Sequence, residues 1–229
     1  MRFLTLKLIA LLLFSGSLGA AQNNQVDRYF DYGIERMREG NYAEAYCYLR
    51  PLADRVHADA QYTLGWMYHN GYGLRIDDEK AFEWWNRSAG ADNREATFAL
   101  GLLYEQGLGT EKSPAKAADM YLKAARKNSE DAISLIHSLL REPTSPLYAP
   151  LLERLGQDWQ LISKKAWVVK SEKANVRKGP GKKHAVKFVL KREQKIYELD
   201  RTGKWFMVGI DGEARHGWLH QSLLTKAEQ

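Results

Sequence analysis

A gapless internal repeat of 36 residues constrains this chain more than any other feature. The segment AQYTLGWMYHNGYGLRIDDEKAFEWWNRSAG starts at Ala60, and ATFALGLLYEQGLGTEKSPAKAADMYLKAAR starts at Ala96. At that offset Leu64 falls on Leu100, Gly65 on Gly101, Tyr68 on Tyr104, Gly71 on Gly107, Gly73 on Gly109, Ala81 on Ala117, Trp85 on Tyr121 and Ala89 on Ala125. A period of this length predicts stacked supersecondary units, none of which can bury its apolar face alone. Ala60, Leu64 and Tyr68 fall at i, i+4, i+8, one stripe of a helix. Gly71 and Gly73 then end that helix and allow a tight turn. Asp77 and Ser113 stand at N-cap positions of a second helix, with Pro114 at its first position. Gly65, in mid-helix, predicts a close approach by a second helix, with Ala81 as its small partner.

The glycine pair is no nucleotide loop. Such a loop needs a preceding strand, and both copies follow a helix. Carried backwards, the offset sets Tyr32 under Tyr68, Ala45 under Ala81 and Ala53 under Ala89, so 26–56 reads as a divergent first unit. Carried forwards, Ala132 and Ile136 match Ala96 and Leu100, so 130–141 reads as a lone first helix. The motif LGxxYxxGxG, an acidic stretch and AxxWxxxAA resembles Sel1-like repeats, relatives of the tetratricopeptide repeat. The resemblance implies a superhelical array of paired helices that binds proteins and carries no chemistry. It also implies that Tyr62, Trp66, His69, Phe98 and Leu102, off the core stripe, line the inner, protein-binding face.

Charge divides the chain. Residues 22–163 carry 16 Lys and Arg against 21 Asp and Glu, whereas residues 164–229 carry 16 against 7. Near the same place Pro143, Pro146 and Pro150 interrupt helix, and a short helix is expected within 147–159. Beyond Lys165 five short segments rich in β-branched and aromatic residues predict strands: 166–169, 186–190, 196–199, 205–210 and 217–220. Asn175-Val176-Arg177, Gly179-Pro180, Trp205, Val208 and Gly217-Trp218 resemble the bacterial SH3 domain. The expected fold is therefore α+β in two domains, a helical repeat array over 22–142 and a small SH3-like β-barrel over 165–226, joined by a linker over 143–164. The full repeat units span about 60–95 and 96–127.

The SH3 resemblance implies binding to cell-wall peptide or another envelope component. Arg177, Lys178, Lys182, Lys183, Lys187 and Trp205 are the candidate residues for an anionic ligand, in a stretch whose positive field favours such partners. At the other end, Arg2 and Lys7, an apolar run from Leu8 to Phe14, and small residues to Ala21 predict an export leader over residues 1–21. The leader's core is too short to span a bilayer, and no second long apolar stretch follows. Periplasmic residence is expected, with secretion as the second choice. Export sets nucleic acid aside in favour of peptidoglycan, anionic lipid or lipopolysaccharide.

One cysteine, Cys47, rules out an internal disulfide. It lies in the register of Glu83 and Asp119, a solvated position, so a disulfide between two copies is open to it. The six histidines are scattered over both halves, so neither a metal site nor a cofactor is expected. The sequence reads as a non-catalytic adaptor of the cell envelope. A structural subunit of a larger envelope complex is the alternative, and a cell-wall hydrolase accessory stands behind both.

Overall fold

The computed structural model describes residues 25–156, 158–163 and 165–227. The leader expected over 1–21 lies outside them. Eight helices come first among the described residues: α1 (25–38), α2 (Tyr42–Asp54), α3 (Ala58–Asn70), α4 (Asp78–Gly90), α5 (Arg94–Gln106), α6 (Pro114–Arg126), α7 (Glu130–Leu139) and α8 (Tyr148–Leu155). Seven strands follow: β1 (Ala166–Val169), β2 (Lys173–Arg177), β3 (Val186–Lys191), β4 (Lys195–Thr202), β5 (Trp205–Ile210), β6 (His216–His220) and β7 (Leu224–Lys226). Two compact units result. The first comprises the described residues up to Ala96 together with Leu108–Thr110, and the second comprises Thr97–Gly107 and the chain from Glu111 onward.

The helix boundaries follow local chemistry. The side chains of Asp77 and Ser113 accept from the backbone N–H of Lys80 and Lys116, with Pro114 at the start of α6. His57, Asn93 and Ser129, again 36 residues apart, accept from the N–H of Ala60, Ala96 and Ala132. Each cap satisfies an N–H that the helix itself leaves unpaired. Gly71 ends α3 in the left-handed region at φ 73°, its N–H bonded to the Met67 carbonyl.

The mid-helix glycines have a different partner from the alanine expected. A Cβ on Gly65 would collide with the Trp85 ring, and one on Gly101 with the Tyr121 ring. Each glycine is thus a hole for an aromatic knob twenty residues on, and Ala81 is itself fully buried. Trp85 anchors its knob by donating from Nε1 to the Tyr62 carbonyl at 3.0 Å. Tyr121 donates to Glu105 Oε2 at 2.5 Å, and burial together with that bond pushes its phenol well above the ordinary range. Gly65→Ala is expected to lower stability by about 1–3 kcal/mol through overpacking. At an ordinary mid-helix glycine the same change gains up to ~1 kcal/mol. Thermal unfolding decides the sign, and a raised Tm would mean that no knob fills the hole.

The second glycine of each pair joins one repeat to the next. Gly73 (φ 67°) sits against Tyr42, the first residue of α2, and Gly109 (φ 62°) against Asp78, the first residue of α4. Both combine a positive φ with no room for a side chain, which is the physical reason that both copies carry glycine there.

In the second unit the strands form one antiparallel sheet in the order β3-β2-β6-β5-β4-β1-β7. The five expected strands are present, and Lys173–Arg177 and Leu224–Lys226 add two more. The closed barrel expected from the sequence is corrected here to an open-ordered sheet. Among the described residues β3 and β7 do not pair, so the sheet keeps two edges. Strands β4 and β5 are covered on both faces. Ile196, Phe206, Val208 and Ile210 enter one cluster with Val169, Val176, Leu190 and Leu219. Tyr197, Leu199 and Met207 enter another with Tyr121, Leu122, Ile136, Leu151, Leu155 and Trp159. Burial on both faces explains why β5 reads as the unbroken apolar run WFMVGI rather than as an alternation.

Residues 143–164 help to build that second cluster, contributing Leu147, Leu151, Leu155, Trp159 and Ile162. Trp159 lies on Gly209, where a Cβ would collide with its ring, and its Nε1 donates to the Glu213 carbonyl at 2.7 Å.

Candidate functional site

Seven tryptophans occur in the chain, and Trp66 on α3 is the exposed one, at 40%. Its ring stacks on Tyr72 with centroids 4.9 Å apart, and Tyr72 leans on Tyr42 at 4.8 Å. Three aromatic rings therefore form a continuous ladder at the surface of the first unit. The ladder couples α3, the glycine turn and the start of α2, so its rings are held by the same turn that joins the repeats. Aromatic stacks present large contact area at little cost in side-chain entropy, as protein-binding hot spots do.

The other residues expected on the inner face divide by how much they are already engaged. Tyr62 is half-buried and stacks on Trp85 at 6.5 Å. His69 is held by Asp78 at 2.6 Å and faces the Trp85 ring at 5.5 Å. In the second unit Phe98 is half-buried and packs on Tyr121 at 5.5 Å, and Leu102 borders the same core. Of the five residues picked from the sequence, Trp66 alone is exposed. Tyr72 and Tyr42 lie outside that set. Tyr72 lies inside the Gly71–Gly73 turn, where no helical period marks a face, and its appearance in the first copy but not the second was the available signal.

The basic residues collect on the β2–β3 hairpin. Lys178, Lys182 and Lys183 are exposed at its tip. Arg177 braces that tip, its Nη1 donating to the His184 carbonyl at 2.7 Å. Lys187 reaches back to the His216 carbonyl at 3.0 Å, and burial of its ammonium, aided by nearby Lys178, lowers its pKa. Trp205 stands apart on β5, half-buried and edge-on to His220 at 5.2 Å. Cys47 is exposed on α2, as its charged register foretold.

Two clefts hold titratable groups. One, of about 680 Å³ in the first unit, is lined by Tyr68, Leu74, Ile76, Asp77 and Lys80 among others. Its Lys80 ammonium is paired with Asp77 at 2.7 Å. The other, of about 470 Å³, is lined by His137, Glu198, Asp200 and Arg201 among others. Here Glu198 accepts from Trp167 Nε1 at 2.9 Å and Arg201 Nε at 3.2 Å. Asp200 pairs with Arg141 at 2.6 Å, and His137 Nε2 meets the Ile162 carbonyl at 2.9 Å. Each of these groups spends its reach on a structural partner: Glu198 ties β4 to β1, Asp200 ties β4 to the end of α7, and His137 ties α7 to the connecting segment. Among the described residues no cluster of three His, Cys, Asp or Glu side chains is arranged for a metal ion. No described helix is long and apolar enough to cross a membrane.

Residues 58–93 and 94–129 each match the Sel1 repeat family. Sel1-repeat proteins serve in general as protein–protein interaction modules. Among solved structures the chain is similar to a Sel1 repeat protein from Oxalobacter formigenes, with 27% identity and a TM-score of 0.47 over 54% of this chain and 55% of that one. It is also similar to c5321, a protective antigen of uropathogenic Escherichia coli strains with an SLR fold, at 22% identity and a TM-score of 0.50 over 59% of this chain and 30% of that one. Helicobacter pylori cysteine rich protein B aligns at 20% identity and a TM-score of 0.41, over 48% of this chain and 94% of that one. The chain thus covers 55% and 30% of the first two structures. No curated protein matches it.

Proposed function

We propose that this Sel1-repeat chain is a non-catalytic adaptor of the bacterial cell envelope, exported to the periplasm, whose repeats hold a protein partner. Its basic strand region, resembling the bacterial SH3 domain over 165–226, engages an anionic envelope component, peptidoglycan above all. The domain division is that of the sequence: repeats over 22–142, a connecting segment over 143–164, then the basic region. The observation that carries this reading is Trp66. It is exposed and pre-stacked on Tyr72, in repeats whose other tryptophans, Trp84 and Trp85, are buried.

Trp66→Ala is expected to abolish capture of the partner from envelope extract while costing about 1 kcal/mol of stability, the worth of one aromatic stack. Undiminished capture by a folded variant would remove Trp66 as the docking point. The same eluate run on a non-reducing gel reads the second part of the proposal, that the exposed Cys47 can join two copies. A band of doubled mass that disappears with Cys47→Ser supports it, and a monomer alone refutes it.

A further inference from the structure

We infer that the open edge of β3 is a docking site for an extended, acidic polypeptide segment, which adds to the sheet as a further strand. The inference rests on the proposed anion-binding role of the basic region and adds a second requirement, that the ligand bring a backbone able to pair.

Among the described residues β3 has β2 as its one neighbour in the sheet, so the outer row of its N–H and C=O groups has no strand partner there. Its six residues span roughly 20 Å, of which the last, Lys191, already gives its N–H to Gln194 Oε1 at 2.6 Å. The opposite edge, β7, has three residues and is too short to do the same. Proteins ordinarily blunt such an edge with proline, inward charge or a bulge that turns it away. No proline lies within β3. The register shifts between Val176 and Arg177, a bulge that guards the strand at Lys187, whose ammonium is drawn in to the His216 carbonyl. Beyond it, residues 188–191 pair regularly with β2 and carry no further bulge. Val186 and Val189 are left 44% and 49% exposed on the strand.

Charge decides what can come to this edge. Between 164 and 192 the chain has eleven Lys and Arg and one acidic residue, Glu172, which Arg192 occupies at 3.2 Å. Lys178, Lys182 and Lys183 stand exposed beyond one end of the β2–β3 pair, and Lys173 and Lys191 pair at the other. An acidic segment would be steered along this rail, whereas a basic one would be repelled. Electrostatics alone would serve lipid headgroups equally well. The unpaired ladder does not: it rewards a ligand with its own alternating donors and acceptors.

The test is fluorescence anisotropy of the full chain with a labelled eight-residue peptide that alternates Glu with Thr. Binding at low salt is expected to weaken at least about tenfold when two adjacent central residues of the peptide are N-methylated. That change removes a donor from each peptide edge and leaves its charge intact. A comparable loss is expected for Lys182→Glu/Lys183→Glu, both in the exposed turn, with folding checked by circular dichroism. Equal binding of the methylated peptide would overturn strand addition and leave the anionic role standing. Sedimentation with isolated peptidoglycan, or binding to phosphatidylglycerol vesicles, without any binding of the peptide would overturn it too. Failure of peptide, peptidoglycan and vesicles together would bring down both readings.

Discussion

Trp159→Ala is expected to lower the stability of the protein by about 3–5 kcal/mol, the usual cost of emptying a buried aromatic site. The indole is fully buried, and it is the largest side chain in the cluster where Leu151 and Leu155 of α8 meet Met207 and Tyr197 of the sheet. Its Nε1 also satisfies the Glu213 carbonyl, which truncation would leave without that donor. Gly209 supplies an internal check, because its hydrogen leaves the space that the ring occupies. Gly209→Ala alone should destabilise through overpacking, yet added to Trp159→Ala it should cost far less. Urea unfolding of the four proteins tests the cycle. A loss under about 1 kcal/mol for Trp159→Ala, or simple additivity with Gly209→Ala, would show that the ring is dispensable to the joint between helix and sheet.

Acidification below pH 6.5 is expected to weaken the fold, with His216 as the largest single cause. This imidazole is buried on β6, its Nε2 at 2.8 Å from the Tyr148 hydroxyl of α8 and its ring 6.0 Å from that of Trp159. Among the described residues Nδ1 has no partner, so the imidazolium, which carries an N–H on both nitrogens, would hold a buried N–H without an acceptor. Burial, with the Lys187 ammonium nearby, lowers its pKa to about 4. In the unfolded chain it should protonate near 6.5. Between those values the unfolded state binds the extra proton, so stability falls as pH drops through this window and levels off below about pH 4. The whole effect is about 3 kcal/mol. His137 shifts in the same direction, again chiefly by burial, and steepens the decline. Denaturant midpoints of the native protein and of His216→Phe between pH 7 and pH 4 separate the two. Parallel curves would mean that His216 titrates normally in the folded state.

Both predictions concern a joint that the sequence announced only in outline. The prolines after Arg141 signalled the end of helix, and the charge shift near Lys164 signalled a new kind of surface. Neither could say that 143–164 would contribute Trp159 to a core shared by helices and strands. For that, Gly209 and Trp159 must meet across fifty residues, and a glycine inside a strand indicates only that something comes close. The same holds for Gly65. Its recurrence at Gly101 pointed to close helix contact, but the partner proved to be Trp85, because a knob is chosen by where two helix faces meet in space.

The candidate sites were legible to an unequal degree. Trp66 could be found because it stands off the i, i+4 stripe of α3, and Cys47 because its register partners are charged. Tyr72, seated in a turn, had no periodicity to give it a face. The basic hairpin was evident from composition, whereas the open edge beside it required the strand order.

What the residues alone determined is the local part: the 36-residue period, the helix caps, the turn glycines and five of the seven strands. Those features depend on near neighbours along the backbone, through side-chain oxygens, allowed φ and the spacing of apolar groups. Tertiary structure alone decided that the sheet stays open at β3, that β4 and β5 are covered on both faces, that Trp159 rests on Gly209, and that His216 is buried beside an ammonium. Those outcomes depend on contacts between residues far apart in the chain, and no short window of sequence encodes which pair will share the same space.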